Sequence, residues 1–250
     1  EYAISHFYVF TEYFGMHNDT ILRKWVIVMT DSYDLIVIGA GPGGYVAAIR
    51  AAQLGQKVAI VEKTNAGGTC LNVGCIPSKT LLEHGTKAHD IRKANDWGIE
   101  TQGMKVNFSK LVQRKQHIVS TLTGGVKQLL KKNKVNFIKG EATVTKDLEV
   151  KVGNQSYQAK DIILATGSKP FIPPIEGLND IKYETTDTFF DIETLPKQLA
   201  IIGGGVIATE LASSMADLGV EVTMIEVNED ILLTEIEEVR EPVSYTHLTL

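Results

Sequence analysis

Cys70 and Cys75 are the only two cysteines of the chain, and four residues separate them. Two are far too few for a secreted disulfide scaffold, and such close spacing points to chemistry and not to stapling. Three readings suit the pair: thiol–disulfide exchange, which runs through the thiolate; metal binding; or two inert buried thiols. A zinc site needs two further Cys or His ligands at suitable spacing, and His84 and His89 downstream are poorly spaced for it. A second group of candidates is glycine. Gly39, Gly41 and Gly44 form a GxGxxG pattern, and Gly203 and Gly205 begin another. Such a turn suits a pyrophosphate: the first glycine permits the tight bend, the second lets the phosphates approach the backbone, and the third lets a helix pack close to a strand.

The elements around the glycines fit that use. Residues 33–38 are short, apolar and β-branched, the glycine turn follows, and the alanine-rich stretch 45–54 is helix-prone. A second strand, 57–61, ends at Glu62, where a carboxylate can accept hydrogen bonds from ribose hydroxyls. The helix amino terminus then meets the phosphates. The whole unit recurs at an offset of 164 positions: Ile38 maps to Ile202, Gly39 to Gly203, Gly41 to Gly205, Leu54 to Leu218, Val58 to Val222 and Glu62 to Glu226. Two dinucleotide sites are implied. Gly44 maps to Ala208, a departure of one methyl group at the helix-packing position.

Between the copies, 81–95 and 107–132 read as helices, the latter with apolar residues at helical spacing. Residues 135–138, 142–145, 148–152 and 157–159 read as short strands, and 161–165 as a buried strand closing on Thr166, Gly167 and Ser168. Pro170, Pro173 and Pro174 predict an extended connection into the second unit. The expected class is α/β, a Rossmann-like domain followed by the beginning of an inserted one. Only two strands are available between residues 200 and 250, whereas such a domain needs about five or six. The expected divisions are 1–28 as an extension, 29–175 as the first dinucleotide domain, 176–243 as the first part of the second, and 244–250 as a tail.

With 25 basic and 30 acidic residues and a formal net charge of -5, the chain offers no basic face for nucleic acid and no polybasic membrane tether. No window approaches the roughly 18 consecutive apolar residues of a membrane span. Residues 1–28 are rich in aromatics but lack a basic start, a long apolar run and a small-residue cleavage site, so no signal peptide is expected. Met29 lies just before a clean domain start, and the segment before it is assigned no function. A cytoplasmic location is the expectation.

The segment Gly67-Gly68-Thr69-Cys70-Leu71-Asn72-Val73-Gly74-Cys75-Ile76-Pro77-Ser78-Lys79 resembles the redox-disulfide signature of the pyridine nucleotide disulfide oxidoreductases. The neighbouring run from Gly44 to Gly55 is similar to the dihydrolipoyl dehydrogenases within that family, and the resemblance extends over residues 31–242. It implies FAD at the first glycine turn and NAD at the second. It also implies a Cys70–Cys75 disulfide, for which Gly74 supplies the sharp turn that the Cα separation of a bridge requires. Cys70 would be the interchange thiol reaching solvent, and Cys75 the one against the flavin. Lys79 matches a lysine beside the flavin, where a cation favours the thiolate. Glu210 matches a glutamate near the nicotinamide. Gly39, Gly41, Gly44, Glu62, Lys63, Gly68, Thr69, Thr166, Gly167 and Ser168 are the other expected flavin contacts, and Gly203, Gly205 and Glu226 the other expected NAD contacts. NAD is expected over NADP because Glu226 would repel a 2′-phosphate.

The resemblance implies that electrons from a dihydrolipoyl group pass through the disulfide and FAD to NAD. The partners would be a lipoyl-bearing protein of a 2-oxoacid dehydrogenase or glycine cleavage complex and, for the full-length protein, a second subunit of a homodimer. In that family a carboxy-terminal interface domain lends a His-Glu base, and none of the six histidines here stands in a His-Pro context. The chain by itself is therefore expected to be inactive in lipoyl oxidation and to bind FAD weakly. Residues 244–250 depart from the family pattern and read as foreign. A sibling reductase acting on glutathione, trypanothione or mercuric ion shares the cysteine spacing and both nucleotide folds, although Ser78 and Glu226 argue against the glutathione type. A nonenzymatic flavin-binding or redox-sensing module is the alternative from another class.

Overall fold

The structure is a computed structural model that describes residues 9–10, 26–27 and 32–247. Most of the expected extension 1–28 lies outside the described residues, which here are β1 (Val9–Phe10) and β2 (Val26–Ile27), paired antiparallel. The first unit begins with β3 (Ser32–Ile38), α1 (Pro42–Gln53) and β4 (Val58–Glu62). There follow α2 (Gly68–Val73), α3 (Cys75–Lys93) and α4 (Phe108–Lys132). Then come β5 (Asn136–Lys139), β6 (Ala142–Val144), β7 (Glu149–Val152) and β8 (Gln155–Leu164). The second unit contains α5 (Thr186–Phe189), β9 (Gln198–Ile202), α6 (Val206–Asp217), β10 (Glu221–Ile225) and α7 (Glu237–His247).

Six strands form one sheet in the order β5-β4-β3-β8-β7-β6. The four from β5 to β8 in that order are parallel, and the β6–β7–β8 meander is antiparallel. Strand β4 is buried along its whole length, as a parallel strand covered on both faces must be. Side chains alternate across the sheet with a period of two. Leu35, Val37, Val58 and Ile60 face α1 and α4, where Ala48, Val126 and Leu130 close one core. Ile36, Ile38, Ala59 and Val61 face the other way and pack on Val150, Val152 and Tyr157 of the meander. A third cluster joins α3 to the second unit through Ala88, Phe189, Leu211 and Met215. Strands β9 and β10 make the parallel two-stranded sheet that the repeat requires. Among the described residues, no helix is long and apolar enough to cross a membrane.

Helix α4 matches its expected limits, with Asn107 as the N-cap accepting from the Lys110 backbone N–H. Residues 165–175 have no regular structure, in keeping with the three prolines. Three expectations are corrected. The helix expected at 81–95 starts at Cys75, because Pro77 falls in its first turn, where a missing N–H breaks no helical bond. The separate strands at 157–159 and 161–165 are one, β8, since residues from Gln158 to Leu164 pair in one register with β3. Nor is the end of that strand buried: Ile163 is 39% and Leu164 69% exposed, because no described element covers that part of the sheet. Helix α7 continues through 244–247, the start of the expected tail, and residues 248–250 lie outside the described residues.

Ile60 is fully buried at the centre of β4, so Ile60→Ala should destabilise the chain by about 2–5 kcal/mol through lost burial and a residual cavity. Urea unfolding followed by circular dichroism measures it.

Candidate functional site

Gly39 has φ +102°, and its N–H donates to the Val61 carbonyl at 2.8 Å, which bends the chain off β3 towards α1. A Cβ on Gly39 would lie 2.1 Å from the Ala165 carbonyl oxygen and 3.3 Å from Thr166 Cα. The Thr166, Gly167 and Ser168 turn therefore abuts the glycine turn, with Gly167 at φ +68°. A Cβ on Gly44 would sit 1.8 Å from the Gly39 carbonyl oxygen, so the helix rests directly on its own turn. Gly41 is the N-cap of α1; no side chain caps that terminus and no acidic residue occupies its first turn. Its N–H groups stay available to an anion.

The second turn copies the first. Gly203 has φ +106°, its N–H donates to the Ile225 carbonyl at 2.8 Å, and Gly205 is the uncapped N-cap of α6. Both termini thus fit a pyrophosphate by the donors that they present.

Each unit also contains a tie that the glycine pattern does not announce. Glu62 is buried, and its Oε2 accepts from the Ala40 N–H at 2.8 Å while Oε1 accepts from the Thr64 N–H at 2.7 Å and hydroxyl at 2.9 Å. Glu226 accepts from the Gly204 N–H on Oε2 at 2.6 Å, and on Oε1 from the Val227 and Asn228 N–H groups and Asn228 Nδ2. Each glutamate therefore holds its glycine turn. The N–H donors, first those of Asn228 and then of Gly204, hold the Glu226 carboxyl below the usual carboxylate range. Sequence reasoning missed Thr64 and Asn228, although they too stand 164 positions apart.

The cysteine segment meets the first turn backbone to backbone. Gly67 N–H donates to the Ala40 carbonyl at 2.8 Å, and a Cβ on Gly68 would lie 2.5 Å from Gly41 Cα. Asn72 Nδ2 then donates to the Gly68 and Ala66 carbonyls and pins α2 in place. Thr69 is exposed on α2, and Lys63 is exposed and pairs with Glu141 at 3.8 Å. Gly74 joins α2 to α3, where a Cβ would be 3.0 Å from the Thr69 carbonyl oxygen.

Cys70 and Cys75 are both free thiols here, one on α2 and the other opening α3. Cys75 is exposed, whereas Cys70 is half-buried against the core beneath α1. The shielding of Cys70 is local. Its cause is α2, which sinks Leu71 into that core and takes Cys70 with it. Burial first, and then the hydrogen bond and charge of Cys75, push the Cys70 thiol up to about 11. Lys79 is not directed at the thiols: its Nζ donates to both oxygens of Glu210, at 2.5 and 2.6 Å. This pair spans from the helix that starts at Cys75 to the helix of the second glycine turn. The remaining expected residues thus gather around two turns joined by one pair of helices.

Comparison with known proteins agrees with this arrangement. The model of the family described as "Pyridine nucleotide-disulphide oxidoreductase" matches residues 33–248. A dihydrolipoyl dehydrogenase of Acholeplasma laidlawii is 43% identical over 218 residues, covering 85% of this chain and 65% of that protein. One from Bacillus subtilis (strain 168) is 46% identical over 203 residues, covering 80% of this chain and 43% of its own length. Among solved structures, the Cu(II) complex of the HOCl-induced flavoprotein disulfide reductase RclA from Escherichia coli superposes with a TM-score of 0.72 at 28% identity. That match covers 84% of this chain and 46% of the other. The chain spans less than two thirds of the length of each of these proteins.

A thiol with a pKa near 11 is protonated at neutral pH, and its thiolate fraction grows about tenfold per pH unit below that value. Alkylation of Cys70 by iodoacetamide, followed by peptide mass spectrometry, should climb steadily above pH 7 and level off only near 11. In Cys75→Ala the profile should move to lower pH, because two of the causes that raise the value are gone. A parental plateau near the ordinary thiol value of about 8.5 would refute the effect of burial.

Proposed function

From the premise that the chain belongs to the pyridine nucleotide-disulphide oxidoreductase family, we propose that its protein oxidises protein-bound dihydrolipoyl groups to lipoyl groups and reduces NAD, through a Cys70–Cys75 disulfide. The observation that carries this reading is the pair of free thiols on α2 and α3, held beside the first glycine turn by the backbone crossing of Gly68 and Gly41. The names of the relatives support the lipoyl substrate.

In the oxidised protein, one substrate thiolate attacks Cys70 Sγ, forming a mixed disulfide and releasing Cys75. The second substrate thiol then attacks the substrate sulfur of that bond, so the lipoyl disulfide closes and Cys70 is released. Two electrons and two protons have left the substrate. The high pKa of Cys70 makes it take up a proton on release, whereas Cys75, exposed at the start of α3, is the sulfur to be apposed to a cofactor. Bound FAD would supply a two-electron acceptor next to the pair, and NAD the final one. Gly39, Gly41, Gly44, Glu62, Lys63, Gly68, Thr69, Lys79 and the Thr166, Gly167 and Ser168 turn would hold FAD. Gly203, Gly205, Glu210 and Glu226 would hold NAD. Glu226 supports NAD over NADP, since a carboxylate kept ionised by four N–H donors repels a 2′-phosphate. The lipoyl-bearing protein of a 2-oxoacid dehydrogenase or glycine cleavage complex, and a second copy of the full-length protein, are the partners that this function calls for.

The test is a substrate panel on the full-length gene product. NADH formation with dihydrolipoamide is expected, with no comparable turnover of glutathione disulfide or mercuric ion. Cys70→Ser and Cys75→Ser should each lose about a thousandfold or more, because exchange needs both sulfurs. Preference for glutathione disulfide would sink the proposal. Separately, Glu226→Ala should weaken NADH binding about tenfold or more and narrow the gap to NADPH, because the turn loses its tie along with the repelling charge. Calorimetric titration with both nucleotides checks it, and unchanged affinities would rule out that role.

A further inference from the structure

Helices α3 and α6 run side by side in the same direction and touch in three successive places. Near their amino ends Lys79 donates to both carboxylate oxygens of Glu210. At their far ends Arg92 donates to the Asp217 carbonyl, and its other nitrogen lies 2.8 Å from Asp217 Oδ1. His89 Nδ1 lies 3.1 Å from the same carboxylate oxygen. Between these ties Gly85 faces Ser214, which is only 1% exposed. A Cβ on Gly85 would lie 3.0 Å from Ser214 Cα and 3.1 Å from its carbonyl oxygen. Those are backbone atoms of a helix, which cannot turn aside as a side-chain tip would, so a Cβ needs α6 to give by a few tenths of an ångström and a large side chain crowds it further. Glycine in the middle of a nineteen-residue helix weakens it, and the close approach is the compensating use.

We propose that Gly85 is a positioning residue: its missing side chain sets the distance between α3 and α6, and so lets Lys79 on the cysteine-bearing helix reach Glu210 on the helix of the second glycine turn. The functional meaning of that distance rests on the reading in which the second turn binds the nicotinamide nucleotide. The spacing itself does not.

Zero-length carbodiimide cross-linking of the 250-residue chain, read by peptide mass spectrometry, tests the proposal. The Lys79–Glu210 amide is the reporter, and the Lys160–Asp34 amide in the first unit, where the pair is 2.7 Å apart, is the control. Leucine is a good helix former, so Gly85→Leu isolates crowding from helix propensity. It should lower the reporter about fivefold or more relative to the control, and Ser214→Gly added to it should recover part of the loss. A reporter that is absent from the parent, or equal in parent and Gly85→Leu, would overturn the proposal. If Gly85→Leu also loses the control product, the smaller Gly85→Val decides by the same ratio. NADH titration of the parent judges the other reading independently: no binding would count against the nucleotide assignment and leave the cross-link result standing.

Discussion

Ala40 is completely buried, and both of its backbone groups are committed: its N–H to Glu62 Oε2 and its carbonyl to the Gly67 N–H. Two chain segments therefore have to converge on one residue of the first turn. Convergence is possible only where side chains are absent, which is why Gly41 and Gly68 cross Cα against backbone. The cysteine helices hang from this crossing. Gly67 and Gly68, both at positive φ, turn the chain out of the β4 loop into α2, Gly74 passes it to α3, and the thiols come to lie beside the first glycine turn.

The electrostatics of the site follow from that geometry. Cys70 is drawn toward the core by α2 and favours its neutral form, while the nearest cation on α3, Lys79, is spent on Glu210. An ion pair between groups that are 59% and 31% exposed adds little stability. Its value lies in orientation: it links the helix that begins with Cys75 to the helix that begins at the second turn. The glutamates at the strand ends act likewise. A carboxylate that collects three or four N–H and O–H donors is held in one position, and it holds the glycine turn in turn.

Much of this was legible in the residues. The repeat from Gly39 to Glu62 and from Gly203 to Glu226 reappears as two turns with nearly equal φ and equal hydrogen bonds, because positive φ and a strand-end acceptor are local demands that particular residue types answer. Helix α4 was readable from its apolar spacing and its Asn107 cap. The early start of α3 brings Pro77 into its first turn, where proline is harmless. The union of two short strands into β8 depended on pairing with β3, far away in sequence.

What the sequence determined by itself is everything that depends on a residue and its near neighbours: the α/β class, the two glycine turns, the acidic residue ending each unit, and a cysteine pair spaced for chemistry. What only the tertiary structure decided is whatever depends on which surfaces meet. Cys70 and not Cys75 is the shielded thiol, because α2 packs on the core under α1. Lys79 faces a carboxylate 131 positions away, because Gly85 lets two helices approach. Periodicity and spacing encode which face of an element is apolar. They do not encode the partner of that face, which is chosen by long-range packing, and at this site packing sets the protonation of one thiol and the pairing of Lys79 with Glu210.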